Sequence, residues 1–272
     1  MNSKLLSEKA LTVVDQYAHF HIHGATTSVP YYNNNHKKIR AALRATTGKG
    51  SPRDIFDETE ITLVKEGSFG AIKGGAFRPD LLTNENLRHF LVDQDLGIDC
   101  SGFVYHVLNA ESTANRNGSL DRHLHFPLCK GIIGKIRCTM RPVENASVAT
   151  FAHEKNSHVI ALSDVQPGDF ITMLGVANLT LSAATRDHIV IITHVEYQNF
   201  VPTVLHYVHS IAWPSDGEYG HGVRSGTISI IDINKPLLEQ IWEEAGKTGL
   251  ENYTRERATA ATTELRRLNW FK

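Results

Sequence analysis

Long apolar runs are missing from this chain. No window approaches the ~18 consecutive apolar residues that a helix needs to cross a bilayer, so neither a membrane span nor a membrane partner is expected. The first ten residues lack the apolar core of a signal peptide, and Glu8 and Asp15 interrupt them early. The expectation is a cytoplasmic protein, or one exported by a route that leaves no recognisable leader. Cysteine is scarce: the chain has Cys100, Cys129 and Cys138. An odd, small number argues against a disulfide framework. Cys129 and Cys138 stand too far apart for a CxxC pair, so each thiol taken alone reads as a buried apolar group. A basic excess is missing too. With 28 Lys+Arg against 29 Asp+Glu the net charge is −1, which speaks against a nucleic-acid partner. What remains, 41% hydrophobic and 21% charged residues in a chain of 272, is the composition of an ordinary globular protein.

Apolar residues at helical spacing (Leu5, Leu6, Ala10, Val13, Val14, Tyr17, Ala18) predict a helix over 4–22. Gly24, Pro30 and Asn33 to Asn35 then predict a loop over 23–36. A helix is expected over 51–65, a glycine-rich loop over 66–80, and a helix capped by Thr83 and reaching Gln94. Residues 100–109 read as a helix whose Phe103, Val104, Val107 and Leu108 make a buried stripe. The weakly patterned stretch 111–160 reads as an insertion with short elements. Strands follow at 170–173, 188–195, 203–209 and 227–231, rich in β-branched residues and joined closely enough to favour antiparallel pairing. Residues 236–246 look helical, and the tail near Leu268 and Phe271 reads as a helix or a strand. Helices first and sheet second make an α+β layout. With no Pro/Ser-rich linker, one domain is expected over 1–272: a core at about 97–232, a helical and loop part at 1–96, and the insertion at 111–160.

One segment is shaped for chemistry: Gly97-Ile98-Asp99-Cys100-Ser101-Gly102-Phe103-Val104. It places Cys100 in the first turn of a helix, where unpaired amides and the helix dipole favour a thiolate facing solvent. Backbone N–H groups at that turn are candidate donors to an oxyanion. A thiol needs a base, and among 15 histidines His188 stands out, at the start of a strongly apolar strand. His209 ends the next strand, and an antiparallel pair brings such positions together, so His209 is the candidate to orient His188. His206 has the opposite alternation phase and reads as unremarkable.

These residues, with Val165-Gln166-Pro167-Gly168-Asp169-Phe170, Asp187-His188-Ile189-Val190-Ile191 and Val208-His209-Ser210, resemble the NlpC-type cell-wall cysteine peptidases. The resemblance covers roughly residues 97–232. It implies a papain-like fold, N-terminal helices packed on a small antiparallel β-sheet with insertions. It also implies Cys100, His188 and His209 as the catalytic set, with Tyr31, Asp99 and Ser101 as substrate-binding or oxyanion residues. The implied activity is hydrolysis of amide bonds in a peptide or peptidoglycan fragment, with no cofactor and no metal. The chain departs from the family pattern in lacking a Trp-Gly-Gly segment before the cysteine, and Val29-Pro30-Tyr31-Tyr32 lies far upstream.

Two alternatives stand beside that reading. The same residues would suit a papain-like acyltransferase or deamidase acting on a substrate outside the wall. A non-enzymatic, His-rich metal-binding module would instead use His19, His21, His23 and His36 on an ion such as zinc. Gly48-Lys49-Gly50-Ser51 lacks the strand and spacing of a phosphate loop and reads as a turn. Nothing in the sequence speaks to oligomeric state.

Overall fold

A computed structural model describes residues 2–33, 43–66, 79–175 and 187–271. The chain opens with strand β1 (Asn2–Leu5), helix α1 (Glu8–Ala18) and a hairpin of β2 (Phe20–Ile22) and β3 (Ala25–Thr27). The helix predicted over 4–22 is therefore cut at both ends, and a hairpin replaces part of the loop expected over 23–36. Ser7 explains the late start, its Oγ accepting from Ala10 N at 3.3 Å. At the other end, Phe20 and Ile22 are buried while His21 is exposed, the alternation of a strand.

Helix α2 (Pro52–Glu66) carries Pro at its first position and a reciprocal cap. Ser51 N donates to Asp54 Oδ2 at 2.8 Å, and Asp54 N donates to Ser51 Oγ at 3.1 Å. Most of the loop expected over 66–80 lies outside the described residues. Helix α3 (Asn84–Asp93) is capped as expected, Thr83 Oγ1 accepting from Asn86 N at 3.1 Å. Helix α4 (Cys100–Ala114) begins on the cysteine and runs past Asn109. The 111–160 region holds short elements: α5 (Gly131–Met140), α6 (Pro142–Asn145), α7 (Val148–Ala152) and β4 (Ser157–Val159). There Cys129 and Cys138, 9 residues apart, are joined as a disulfide, which corrects the reading of both as lone thiols.

The later chain is β5 (Phe170–Leu174), β6 (His188–Gln198), β7 (Val201–Ile211), β8 (Gly222–Ser229), β9 (Ile241–Glu244), β10 (Lys247–Thr248), helix α8 (Tyr253–Thr259) and β11 (Thr262–Leu268). The helix expected over 236–246 is wrong. A short 3-10 turn over Leu237–Glu239 leads into β9, whose Glu244 pairs with Lys247 across a two-residue turn. Ala245 (φ 52°) and Gly246 (φ 72°) are both left-handed there, the geometry of a type I′ hairpin. Among the described residues the sheet has 9 strands in the order β10-β9-β8-β7-β6-β5-β11-β4, with β1 also on β6, so it is larger than the four strands expected. The recorded strand pairs are antiparallel. The chain is thus α+β, with an antiparallel sheet.

The chain forms two compact units. The first comprises 1–11, 104–209 and 225–272 and holds most of the sheet. Ile171, Val190, Ile192, Leu205, Tyr207 and Trp242 form part of its apolar core. The Pro167-Gly168-Asp169 turn is anchored in it: Asp169 accepts from Gln166 N at 2.7 Å and pairs with Arg267 of β11. The second unit comprises 12–103 and 210–224. Tyr17, Val29, Ile55, Leu87, Ile98 and Phe103 are buried in it, the rings of Tyr17 and Phe103 meeting edge to face at 5.4 Å. No described helix is long and apolar enough to cross a membrane.

Candidate active site

The nucleophile candidate belongs to the second unit. Asp99 precedes helix α4 and its Oδ1 accepts from Gly102 N at 2.6 Å, which fixes Cys100 as the first helical residue. The same carboxylate is held by Lys49, whose Nζ lies 2.9 Å from each oxygen and donates to Ser101 Oγ at 2.6 Å. Ser101 Oγ in turn donates to Asp99 Oδ1 at 3.0 Å. Lys49, Asp99 and Ser101 are all buried, so the charges are paired and bonded as burial requires. Two residues expected to meet substrate, Asp99 and Ser101, therefore have their side chains committed to holding the helix start.

The turn at Gly48 packs directly on that start, Asp99 N donating to Gly48 O at 2.9 Å. A Cβ at Gly102 would stand 2.6 Å from Gly48 O, so only glycine fits there. The segment carrying Tyr31 runs alongside: Tyr31 forms a parallel bridge with Ile98, and Ile98 N donates to Pro30 O at 3.0 Å. Far upstream in sequence, Tyr31 thus lies two residues from the nucleophile position in the backbone ladder. Ser210 Oγ donates to Ile98 O at 2.8 Å and closes the other side. Cys100 itself is 5% exposed, a more enclosed sulfur than the solvent-facing thiolate expected. The amides of Gly102 and Phe103 already bond Asp99, which removes them as oxyanion donors.

The histidines belong to the first unit. His188 opens β6 and is 2% exposed; His209, near the end of β7, is fully buried. The antiparallel register, with Ile191 opposite Val208, brings the two together as expected. His188 Nε2 lies 2.7 Å from His209 Nδ1, the rings edge to face at 65°. His209 Nε2 lies 3.1 Å from both carboxylate oxygens of Glu244 on β9. Tyr207 Oη donates to Glu244 Oε2 at 2.7 Å. Gly226 on β8 makes room for that phenol, since a Cβ there would collide with the Tyr207 ring and hydroxyl.

A carboxylate only accepts, so the chain of bonds has a direction. His209 donates its Nε2–H to Glu244 and accepts at Nδ1, and His188 donates its Nε2–H to His209. The Nδ1 lone pair of His188 is then the site at which it takes a proton. Burial, with the neighbouring His209 and Arg257 adding to it, holds the His188 imidazole well below its usual pKa, so it is neutral at pH 7. Burial alone would raise Glu244, but its pairing with His209 and the hydrogen bonds from His209, Tyr207 and Thr254 outweigh it and keep the carboxyl below its usual range. Glu244 and Lys49 are the site residues that sequence reading missed.

The proposed N-terminal metal ligands are not gathered among the described residues. His19 bonds Asp15 at 2.7 Å, His21 bonds Thr26 at 2.9 Å and His23 pairs with Glu60 at 2.8 Å. His36 lies outside the described residues. His206, read as unremarkable, bonds Glu196 at 2.8 Å and stacks on His194. Comparison with protein-family models, with curated proteins and with solved structures returned no match.

Proposed function

We propose that the protein is a cysteine hydrolase of papain-like architecture that cleaves amide bonds in peptides, with peptidoglycan stem peptides as the substrate class. The observation that carries this reading is the buried chain His188–His209–Glu244, three titratable groups bonded in line within one apolar core. Burying such groups is costly, and a linear, directional arrangement is what a general base needs to keep one tautomer. Cys100 at the first position of a capped helix supplies the complementary half, a thiol where anions are favoured.

Under this reading Cys100 is the nucleophile and His188 its base. The Cys100 proton passes to His188 Nδ1, and Sγ adds to the substrate carbonyl carbon. The C–N bond breaks as His188 Nδ1–H returns the proton to the leaving amine, leaving a thioester on Sγ. Water then gives a proton to His188 and attacks the thioester, releasing a carboxylic acid and restoring the thiol. Glu244 stabilises the imidazolium through His209 at each stage.

The test reads the sulfur and the substrate separately. Alkylation of the whole protein by iodoacetamide across pH, mapped by mass spectrometry, is expected to label Cys100 well below the ~8.5 of an ordinary thiol. His188→Gln returns the labelling curve toward that value. Peptidoglycan fragments are expected to be cleaved by the parent and not by Cys100→Ala. Hydrolysis that survives Cys100→Ala overturns the mechanism. A low thiol pKa with transfer from ester donors and no cleavage of wall fragments moves the substrate to the acyltransferase class.

A further inference from the structure

A second cluster on β6 and β7 uses none of the groups above. His194 and Glu196 are two residues apart on β6, so they share one face of the strand. His206 on β7 is the direct cross-strand partner of His194. Irregularities in the β6–β7 register fall just before His194 and just after Glu196, so the three residues sit on a short regular patch re-aimed by the breaks around it. One donor atom from each of the three lies within 4.8 Å of the others, and among the described residues this is the one such grouping of His, Cys, Asp or Glu.

We propose that His194, Glu196 and His206 bind a divalent transition-metal ion, zinc foremost. Two imidazoles and one carboxylate form a donor set that suits zinc, with the fourth position left to water. Two ligands at i, i+2 on one strand and a third directly across on its neighbour converge without any loop having to order. His194 Nε2 is withdrawn from water and has no hydrogen-bond partner, a desolvated lone-pair site that a metal would satisfy. All three residues are half-buried, and the cleft beside them is lined by Thr193, Ser225, Thr227 and Glu243, so an ion has a path in. Tetrahedral zinc holds its ligand atoms about 3.4 Å apart, from bonds of about 2.0–2.1 Å. The imidazole rings now stack at 4.5 Å with planes 15° apart, so binding turns them toward one point and replaces the His206–Glu196 hydrogen bond. The site is independent of Cys100 and of the hydrolase reading.

The experiment uses full-length protein carrying Cys100→Ala, so that no free thiol competes, stripped with chelator and titrated with zinc chloride by calorimetry at pH 7.5. The expected result is one zinc per chain. His194→Gln and His206→Gln each weaken it at least tenfold, since loss of a ligand exceeds the roughly 10–100-fold cost of losing a ligand's supporting partner. His19→Gln with His21→Gln leaves the affinity unchanged. Melting curves in chelator check folding, and a variant that melts early is replaced by the near-isosteric Glu196→Gln, for which the same loss is expected. Absence of zinc binding tighter than about 100 μM, or stoichiometric binding that survives these substitutions, overturns the proposal.

Discussion

Strands β6 and β7 carry two histidine pairs, each with a glutamate, and the two differ in nearly every physical respect. His188 and His209 are buried and bonded end to end, with Glu244 reaching in from a third strand. His194 and His206 are half-buried and stacked face to face, with Glu196 on the same strand as His194. The first arrangement gives every nitrogen but one a fixed donor or acceptor role, so it suits a base that takes its proton at a single atom. The second converges three donor atoms on one patch and leaves a nitrogen unbonded, so it suits a cation. Identical side chains on the same pair of strands are thus sorted by burial and by which strand supplies the carboxylate.

The strongest way to break this contrast is to remove one histidine from each pair. His188→Gln is expected to lower kcat/KM for a cleaved peptide by about 10²–10⁴-fold, the usual worth of a general base. His194→Gln is expected to stay within about twofold of the parent, as partly exposed substitutions away from the chemistry do. Equal losses would mean that the pairs are not functionally distinct. Stability sharpens the point. The folded pKa of His188 lies below the unfolded value of about 6.5, so the unfolded chain binds more protons as pH falls below that value. His188 therefore costs nothing at pH 7.5 and destabilises the fold progressively from about pH 6.5 downward. Urea midpoints at pH 7.5 and 5.5 are expected to fall further for the parent than for His188→Gln. An equal fall in both would show His188 to be as easily protonated in the fold as out of it.

The same contrast explains what could be read from sequence. Cys100 was legible because helix starts are local events, signalled by Asp99 and by the apolar stripe behind it. His188 and His209 were legible because strand alternation and antiparallel pairing are simple rules. Glu244 was not. It lies on a four-residue strand whose two-residue turn, Ala245-Gly246, lacks the Asn-Gly or Asp-Gly pair that usually announces a hairpin, so Ile241 to Glu244 passed for helix. Lys49 was hidden for another reason: its partner Asp99 is 50 residues away, and no local pattern encodes such a contact. The His194–His206 pairing depends on a register break after Ile192, which period-two counting cannot see. The α+β class was legible from element order; the extra strands were too short to announce themselves.

Glu244→Gln is expected to cost less than loss of His188, between about tenfold and 10³-fold in kcat, because the carboxylate acts through an intervening ring. A glutamine amide can still accept from His209 and donate to Tyr207, so the fold has a way to satisfy its buried atoms. What disappears is the negative charge that stabilises protonated His188. The acid limb of the pH–rate profile is therefore expected to move to lower pH while the rate at the plateau drops. A reduced rate with an unmoved acid limb would make Glu244 a packing residue with no electrostatic part in the site.

The smallest effect belongs to Tyr207→Phe. The phenol donates to Glu244 Oε2 at 2.7 Å and fits over Gly226, and phenylalanine keeps the ring while removing the donor. Each Glu244 oxygen keeps its contact with His209, so the carboxylate is weakened and not orphaned. The expected cost is about 1–3 kcal/mol of stability, the usual price of a lost buried hydrogen bond to a charged group, read as a lower urea midpoint with an unchanged m-value. Because the Tyr207 hydrogen bond helps hold Glu244 ionised, its removal also raises the carboxyl's pKa toward what burial alone would dictate. The loss of stability should then shrink as pH falls toward the range in which Glu244 protonates, since the missing hydrogen bond counts only while the carboxyl is ionised. A midpoint that matches the parent at pH 7.5 and at pH 5.5 would show that Tyr207 has no part in holding Glu244, which His209 and Thr254 then hold between them.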